Sequence, residues 1–205
     1  MTTLPRLMLV THSGVMRPDF ALSLEAALRG GARLVQLRET AMQGTAMRTE
    51  MIVAARLLCH RFGATLLLNG EASEARGLEA GGVHWPSRLI PTIREPSEAP
   101  NFLRGASVHS AQEAWRARTA GADYLVFGSV WETESHPGSK GTGLKMLRET
   151  CELSSLPVFA IGGVTPERVA LCREAGAWGV AVMRAAWQAP DVEDAVRKLV
   201  EAAEN

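Results

Sequence analysis

The sequence is short of cysteine, has no excess of either charge and contains no long apolar run. Its three cysteines, Cys59, Cys151 and Cys172, lie far apart and form neither a CxxC pair nor a Cys/His spacing that is typical of a metal site. The chain has 22 basic and 22 acidic residues, which argues against a nucleic-acid or membrane-surface partner, since both select a basic face. We therefore predict small buried thiols in a reducing compartment, no nucleic-acid partner and no membrane partner.

No signal peptide and no transmembrane span are expected from the sequence. Residues 1–10 carry one cation, Arg6, and no stretch is long and apolar enough for a signal peptide or a membrane span. A cytoplasmic location is therefore expected. The 205 residues, 46% of them apolar and 21% charged, suffice for a full hydrophobic core. We predict one domain over residues 1–205.

Short β-type runs alternate with helix-type runs along almost the whole chain, except in the proline-rich section 86–100. At about 25 residues per strand–helix unit, this order predicts an α/β fold, a (β/α)8 TIM barrel. An open doubly wound sheet is the alternative, but it usually has fewer strands, and no GxGxxG motif follows the first strand. The eight predicted strands are 7–11, 34–38, 65–68, 83–85, a run that ends at 109, 124–130, 158–161 and 179–182.

Several helix starts carry capping residues. Ser73, Ser110 and Asp191 are placed to cap helices, and Thr165 precedes a proline at a first helical position. Glu113 follows Ser110 by three residues, which predicts a capping box.

The stretch 122–143 points most clearly to a site. A buried strand is predicted to end at Val130, and the loop that follows is rich in Glu, Thr, Ser, His and Lys and is interrupted by one proline and three glycines. Because the active sites of such barrels lie at the C-terminal ends of the strands, we expect this loop to line a mouth shared with the other strand ends.

A pair of glycines, Gly162 and Gly163, follows the seventh predicted strand and opens a helix. Glycines there let backbone N–H groups approach an anion, and the loops after strands seven and eight often bind phosphate in these barrels. A tight turn that needs positive φ is the alternative, and the barrel rule favours phosphate. The backbone at Met183 and Arg184 would form the other half of the cradle, with the Arg184 side chain either adding charge or pointing outward.

Gln36 and Arg38 alternate with apolar residues in the second predicted strand, so both side chains are expected to face the barrel interior. A buried arginine requires an anionic partner. That partner is either a neighbouring carboxylate such as Glu39 or the carboxylate or phosphate of a ligand, and the sequence leaves both open.

Four histidines, His12, His84, His109 and His136, fall at strand ends or in loops, whereas His60 lies on a predicted helix surface. For any one of the four a structural role is the simpler interpretation. Together they predict an acid/base group in the mouth, because imidazole titrates near neutral pH.

Taken in order, these motifs resemble the thiamine phosphate synthase/TenI superfamily over nearly the whole chain. The resemblance implies a (β/α)8 barrel that binds a thiazole phosphate in its mouth, and it suggests a homodimer or a larger assembly. The matching segments are 35–39 (VQLRE), 69–70 (NG), 82–87 (GVHWPS), 107–110 (SVHS), 121–124 (GADY), 127–128 (FG), 132–133 (ET), 157–163 (PVFAIGG) and 179–183 (GVAVM).

The chain departs from the synthase branch of this superfamily, which joins an aminopyrimidine pyrophosphate to the thiazole phosphate and needs Mg²⁺. Thr40 stands where that branch has a lysine, and His136 stands where it has a lysine that contacts pyrophosphate. Gly70 replaces an aspartate that binds metal, and residues 85–91 contain no carboxylate where the branch supplies a second one. Since Mg²⁺ requires such oxygens, synthase activity is the least favoured reading.

The TenI-like tautomerases resemble the chain more closely, with Asn-Gly after strand three and Pro-Ser after strand four. That branch aromatises a thiazole carboxylate phosphate by moving a proton, with no metal and no cofactor. Its catalytic histidine position holds Ser129, a hydroxyl that does not titrate near neutral pH. We therefore expect His136 or His109 to take the acid/base role.

We predict a metal-independent isomerase, a thiazole tautomerase. A non-catalytic protein that binds thiazole or thiamine phosphates is the alternative, and a Mg²⁺-dependent synthase ranks third. The resemblance implies phosphate contacts at Gly162, Gly163, Met183 and Arg184, and substrate contacts at Gln36, Arg38, Asn69, Ser107 and Thr133.

Overall fold

The protein forms the predicted barrel. The computed structural model describes residues 4–12, 14, 16, 19–91, 101–134, 138 and 140–205. All strand pairs are parallel and follow chain order, and the eighth strand pairs with the first, so the sheet closes. The strands are β1 (Leu7–Val10), β2 (Leu34–Leu37), β3 (Thr65–Asn69), β4 (Gly82–Trp85), β5 (Leu103–Val108), β6 (Tyr124–Gly128), β7 (Val158–Ile161) and β8 (Gly179–Val182).

Helices surround the barrel and connect its strands. Within the described residues, no helix has both the length and the apolar character that a bilayer span requires. The helices are α1 (Phe20–Arg29), α2 (Ala46–Arg61), α3 (Ala72–Gly77), α4 (Ala111–Ala120), α5 (Gly143–Leu153), α6 (Pro166–Glu174), α7 (Arg184–Trp187) and α8 (Val192–Glu204).

Both faces of the sheet are covered, which explains why the strands read as nearly continuous apolar runs. All four residues of β1 are buried. Their outward side chains pack under the helices, and their inward side chains join an apolar cluster inside the barrel. The members of the inner cluster are Met8, Val10, Leu34, Leu67, Tyr124, Val126, Phe159 and Ala181.

Helix starts follow the capping pattern at most places. One predicted cap is wrong, since Ser73 lies inside α3, whose N-cap is Glu71. Thr165 is the N-cap residue of α6 and Pro166 is its first helical residue, as predicted, but the Thr165 hydroxyl donates to Glu167 at 2.6 Å and makes no capping bond. The side chains that accept a hydrogen bond from a first-turn N–H include Asp19, Thr45, Ser110 and Asp191.

The section between β4 and β5 contains a single 3-10 turn over Ser87–Leu89 in its described part. Residues 92–100 lie outside the described residues, so the prediction that the prolines of this section leave little room for a helix stays a prediction there.

The three cysteines are free thiols. Cys59 and Cys172 are buried, as predicted, whereas Cys151 is only half-buried. Burial raises the pKa of Cys59 and of Cys172 to about 12, so these two thiols stay protonated at neutral pH and act as small apolar groups.

An aromatic ring on β6 fills part of the interior of the barrel. The ring of Tyr124 lies against the backbone of Gly105 on β5 and meets Phe159 on β7 edge to face, with 5.7 Å between ring centroids. A Cβ atom on residue 105 would lie 1.9 Å from Tyr124 Cζ. Only glycine at position 105 leaves room for the ring.

Replacing Gly105 with alanine should lower the free energy of unfolding by about 3 kcal/mol or more, because the added methyl group overlaps a fully buried ring. Urea unfolding measures this change. The control is Gly77→Ala at the end of α3, where an added Cβ meets nothing within 4 Å, and where we expect no loss or a gain of up to about 1 kcal/mol. Equal losses in the two variants would contradict the packing argument.

Candidate active site

The C-terminal ends of the strands enclose a cavity of about 450 Å³. Every strand contributes to its wall, as expected for the mouth of such a barrel. The strand residues that line it are Val10, Gln36, Asn69, His84, Ser107, Val126, Gly128, Ile161, Ala181 and Val182.

The structure brings the predicted site residues together in this one cavity. His136 lies outside the described residues, so its proposed acid/base role stays a prediction. The described members, all of which line the cavity, are Gln36, Arg38, Asn69, Ser107, His109, Ser129, Thr133, Gly162, Gly163, Met183 and Arg184.

Arg88 also lines the wall and was not selected from the sequence, because it follows β4 in the irregular proline-rich section, where no periodicity indicates its direction. His84, one of the four candidate histidines, lines the wall as well, although the sequence did not distinguish it from the other three.

A pair of amide side chains crosses the cavity floor. Asn69 Nδ2 donates to Gln36 Oε1 at 3.3 Å, and Gln36 Nε2 lies 3.7 Å from Met8 Sδ. Both amides are buried, with exposures of 7% and 3%. Their mutual bond fixes which end of each amide faces the cavity.

His84 is the most deeply buried polar side chain of the wall, with 1% exposure. Its Nε2 lies 2.8 Å from Ser107 Oγ and its Nδ1 lies 3.1 Å from the Tyr124 hydroxyl. Burial, with a smaller contribution from the positive charge of Arg38, lowers the pKa of His84 from 6.5 to about 3. His84 is therefore neutral at pH 7.

Arg38 brings a positive charge to the wall and is half-buried. Of the two partners considered from the sequence, Glu39 accepts instead from the Thr11 hydroxyl at 2.9 Å. Among the ion pairs of the described residues, none includes Arg38. A cation on a cavity wall without a protein carboxylate is suited to an anionic ligand.

The glycine turn after β7 is both strained for other residues and tightly packed. Gly162 and Gly163 have φ values of +100° and +66°. A Cβ on Gly162 would lie 2.6 Å from Ser129 Cβ, and one on Gly163 would lie 2.8 Å from Trp131 Cβ. The tight-turn explanation of the glycines therefore holds, and the turn also presents its backbone to the cavity.

Arg168, in α6, stabilises this turn. Its guanidinium donates to the Gly163 carbonyl at 2.7 Å and lies 4.9 Å from the centre of the Trp131 ring. The contact is a cation–π interaction as well as a hydrogen bond, so the turn is held rigid from outside the cavity.

The loop after β6 is tied to the start of α7. Arg184 pairs with Glu134 at 2.9 Å, so its charge is partly balanced at the wall. The Thr133 hydroxyl next to it is buried and has no hydrogen-bond partner among the described residues. A buried hydroxyl without a partner beside a cavity is suited to a ligand atom.

His109 contacts the end of β6, and Ser129 lies against the glycine turn. His109 Nδ1 lies 2.5 Å from the Gly128 carbonyl oxygen, and this carbonyl can only accept, so Nδ1 carries the proton. The Ser129 carbonyl accepts from the N–H of Thr142 at 2.8 Å. Ser129 thus lies between the glycine turn after β7 and the residues that precede α5. No base in the described residues lies within hydrogen-bond distance of its hydroxyl.

Comparison with known proteins decides the family. A sequence model described as thiamine monophosphate synthase matches residues 7–186. The chain belongs to the thiamine monophosphate synthase family.

Relatives across most of the chain carry the synthase name. A thiamine-phosphate synthase of Natronomonas pharaonis is 37% identical over 188 residues, covering 88% of this chain and 86% of that protein. One of Mycobacterium bovis is 33% identical over 205 residues, covering 95% and 92%. The solved thiamine phosphate pyrophosphorylase of Pyrococcus furiosus superposes with a TM-score of 0.83 at 31% identity, covering 97% of this chain and 95% of that one.

These findings contradict the predicted thiazole tautomerase and its binding-protein alternative. The relatives are named as synthases, the activity that ranked third from the sequence. The error came from giving a few positions, Gly70 and Ser129 above all, more weight than the similarity of the whole chain. A changed residue at one strand end alters one contact, whereas the family is set by the complete pattern of strands and loops.

The Mg²⁺ that the synthase branch uses does not fit the residues present. Gly70 ends the β3 motif without a side chain, and the neighbouring Glu74 is paired with Arg48. Residues 85–91 contain no carboxylate. No group of three or more His, Cys, Asp or Glu residues that could hold a metal ion occurs within the described part of the chain. These donors do not match the oxygen-rich site that a hard cation needs.

The buried imidazole should make the protein less stable in acid. Because the pKa of His84 is lowered to about 3 in the folded state, the unfolded chain binds a proton that the folded protein does not bind between that pH and its ordinary pKa. The free energy of unfolding should fall by roughly 2 kcal/mol between about pH 7 and about pH 5 through this residue, and this contribution should level off below about pH 3.

The variant His84→Gln should lose this part of the pH dependence, because an amide can accept from Tyr124 and donate to Ser107 without titrating. Urea unfolding at the two pH values measures the difference. The control is His60→Gln on the exposed face of α2. An identical pH dependence in His84→Gln and in the wild type would contradict the prediction.

Proposed function

We propose that this protein is a thiamine-phosphate synthase, which joins an aminopyrimidine pyrophosphate to a thiazole phosphate. The thiazole nitrogen gives its lone pair to the methylene carbon of the aminopyrimidine and forms a C–N bond, and the C–O bond from that carbon to pyrophosphate breaks, with its electrons leaving on the pyrophosphate. The observation that supports the proposal is one cavity with anion-binding groups on two sides, in a chain whose relatives are named as synthases.

In this proposal the anionic groups of the two substrates bind on different sides of the cavity. The thiazole phosphate binds at the glycine turn of Gly162 and Gly163 and at the first N–H groups of α7, which have no carbonyl partner within that helix. The pyrophosphate binds on the opposite strands, where Arg38 and Arg88 supply positive charge. The glycine turn is held by Arg168 before substrate arrives, so its orientation costs little at the moment of reaction.

Arginine, rather than a metal ion, holds the pyrophosphate in this proposal. The guanidinium group donates two parallel hydrogen bonds to phosphate oxygens and stays charged at every physiological pH. Arg88 stands in the segment after β4 where the synthase branch supplies a carboxylate, and Arg38 stands at the end of β2. Their charges balance the leaving group at the positions where Gly70 and residues 85–91 offer no metal ligand.

The direct test is formation of thiamine phosphate by the purified protein from the two substrates, measured with Mg²⁺ and with a chelator. The variant Arg38→Gln should lower the rate at least about tenfold, since a hydrogen bond to a charged group contributes about 1.5–3 kcal/mol. Arg116→Gln, on the exposed face of α4, is the matched control and should leave the rate unchanged. No product under either condition would overturn the proposed function.

Binding of inorganic pyrophosphate, measured by calorimetry on the free protein, tests the metal-independent part by itself. The affinity should be the same within about twofold with Mg²⁺ and with a chelator, and Arg88→Gln should weaken it about tenfold. Arg116→Gln again serves as the control. Pyrophosphate binding that appears only with Mg²⁺ would show that the arginines do not replace the metal.

A further inference from the structure

We propose that Tyr124, His84 and Ser107 form a hydrogen-bond chain with one direction, which makes the Ser107 hydroxyl a donor to an acceptor atom of the bound substrate. Tyr124 and His84 are positioning residues in this proposal, and only Ser107 touches the ligand. The proposal rests on the proposed function for the identity of that ligand. The direction of the chain is a property of the free protein.

The three residues come from adjacent strands and are held in place by packing. Tyr124 and His84 have exposures of 0% and 1%, whereas Ser107 is half-buried on the cavity wall. The Tyr124 hydroxyl lies 3.1 Å from His84 Nδ1, and His84 Nε2 lies 2.8 Å from Ser107 Oγ. The fit of the Tyr124 ring over Gly105 prevents the phenol from turning elsewhere.

The Tyr124 hydroxyl determines in which direction the hydrogen bonds of the chain are donated. The Tyr124 hydroxyl has one hydrogen to donate, and among the described residues its hydrogen-bond partner is His84. An unsatisfied buried donor would cost about 1–3 kcal/mol. Burial raises the pKa of Tyr124 well above its ordinary value, with a smaller contribution from the charge of Asp123, so the proton stays on the phenol. Nδ1 of His84 is therefore an acceptor.

The neutral imidazole of His84 sets the direction of the next hydrogen bond, the one to Ser107. With Nδ1 accepting and the pKa of His84 lowered by burial, the single ring proton is on Nε2. Nε2 donates to Ser107 Oγ, and one lone pair of that oxygen is then occupied. The serine hydrogen has no other acceptor among the described residues, so it is directed to the cavity.

The consequence is a preference for one kind of ligand atom at this point of the wall. A phosphate oxygen, a carbonyl or an unprotonated ring nitrogen can accept from Ser107. An amino group or a protonated ring nitrogen could reach only the remaining lone pair of Oγ, which leaves the serine hydrogen without an acceptor and costs affinity. Without the relay, the serine could turn its hydrogen to the imidazole and accept from such a ligand group.

The direction can be measured on the free protein by NMR of ¹⁵N-labelled histidine, which distinguishes the two neutral tautomers. We expect His84 in the Nε2–H form, with the signal assigned by its absence in His84→Gln. The variant Tyr124→Phe should shift the population towards the Nδ1–H form, because the hydrogen that selected the tautomer is gone. An Nδ1–H imidazole in the wild type would overturn the proposal.

The ligand contact is tested by calorimetric binding of thiamine phosphate. Ser107→Ala and Tyr124→Phe should each weaken binding about 3- to 10-fold, and Tyr124→Phe should add nothing in the Ser107→Ala background. The control is Thr150→Val in α5, which removes another buried hydroxyl, one that donates to the Met146 carbonyl, and should leave the affinity unchanged. Equal effects of Tyr124→Phe in both backgrounds would show that it acts through stability instead.

The two proposals fail in different ways. If the wild type binds no thiamine phosphate, the proposed function fails together with the Ser107 contact, while the tautomer on the free protein still decides the direction of the chain. If thiamine phosphate binds and forms but His84 carries its proton on Nδ1, the function stands and the relay is wrong.

Discussion

The pairing of β8 with β1 is the constraint on which the fold and the site both depend. The register places Leu7 opposite Val180 and Leu9 opposite Val182, and this contact turns a row of strands into a closed barrel with no free edge. Closure is also what makes a single mouth, because every strand then ends on the same ring. Residues as distant in the chain as Gln36 and Arg184 become neighbours of one cavity for this reason.

Inside the barrel, polar groups lie above an apolar layer and satisfy one another. The amides of Gln36 and Asn69 share a hydrogen bond, and His84 lies between Tyr124 and Ser107. Burial makes these internal bonds obligatory, since water cannot replace them. The groups left over in the described part of the wall include two guanidinium groups, a hydroxyl that has no partner there and a glycine turn, and their common property is that each can bind an anion or its oxygen atoms.

The family and the individual positions carry different information about function. Similarity to synthases extends over nearly the whole chain, because the barrel and its loops form one packed unit. The departures at Gly70 and in residues 85–91 concern a few side chains and led us to the wrong branch when they were taken as evidence about the reaction. In the proposed function they instead concern how the pyrophosphate of one substrate is held.

The sequence by itself determined the eight strands, most helix starts and the end of the barrel at which the cavity lies, because alternation, caps and glycines act locally and the strand ends of a barrel must meet. It could not place Ser73 inside α3, since that helix begins after Glu71 without a side-chain capping bond. Nor could it choose between Glu39 and a ligand as the partner of Arg38, or find the chain from Tyr124 through His84 to Ser107. Those depend on distances between strands, and only the tertiary structure, through closure and burial, decided which groups bind each other and which remain for the substrate.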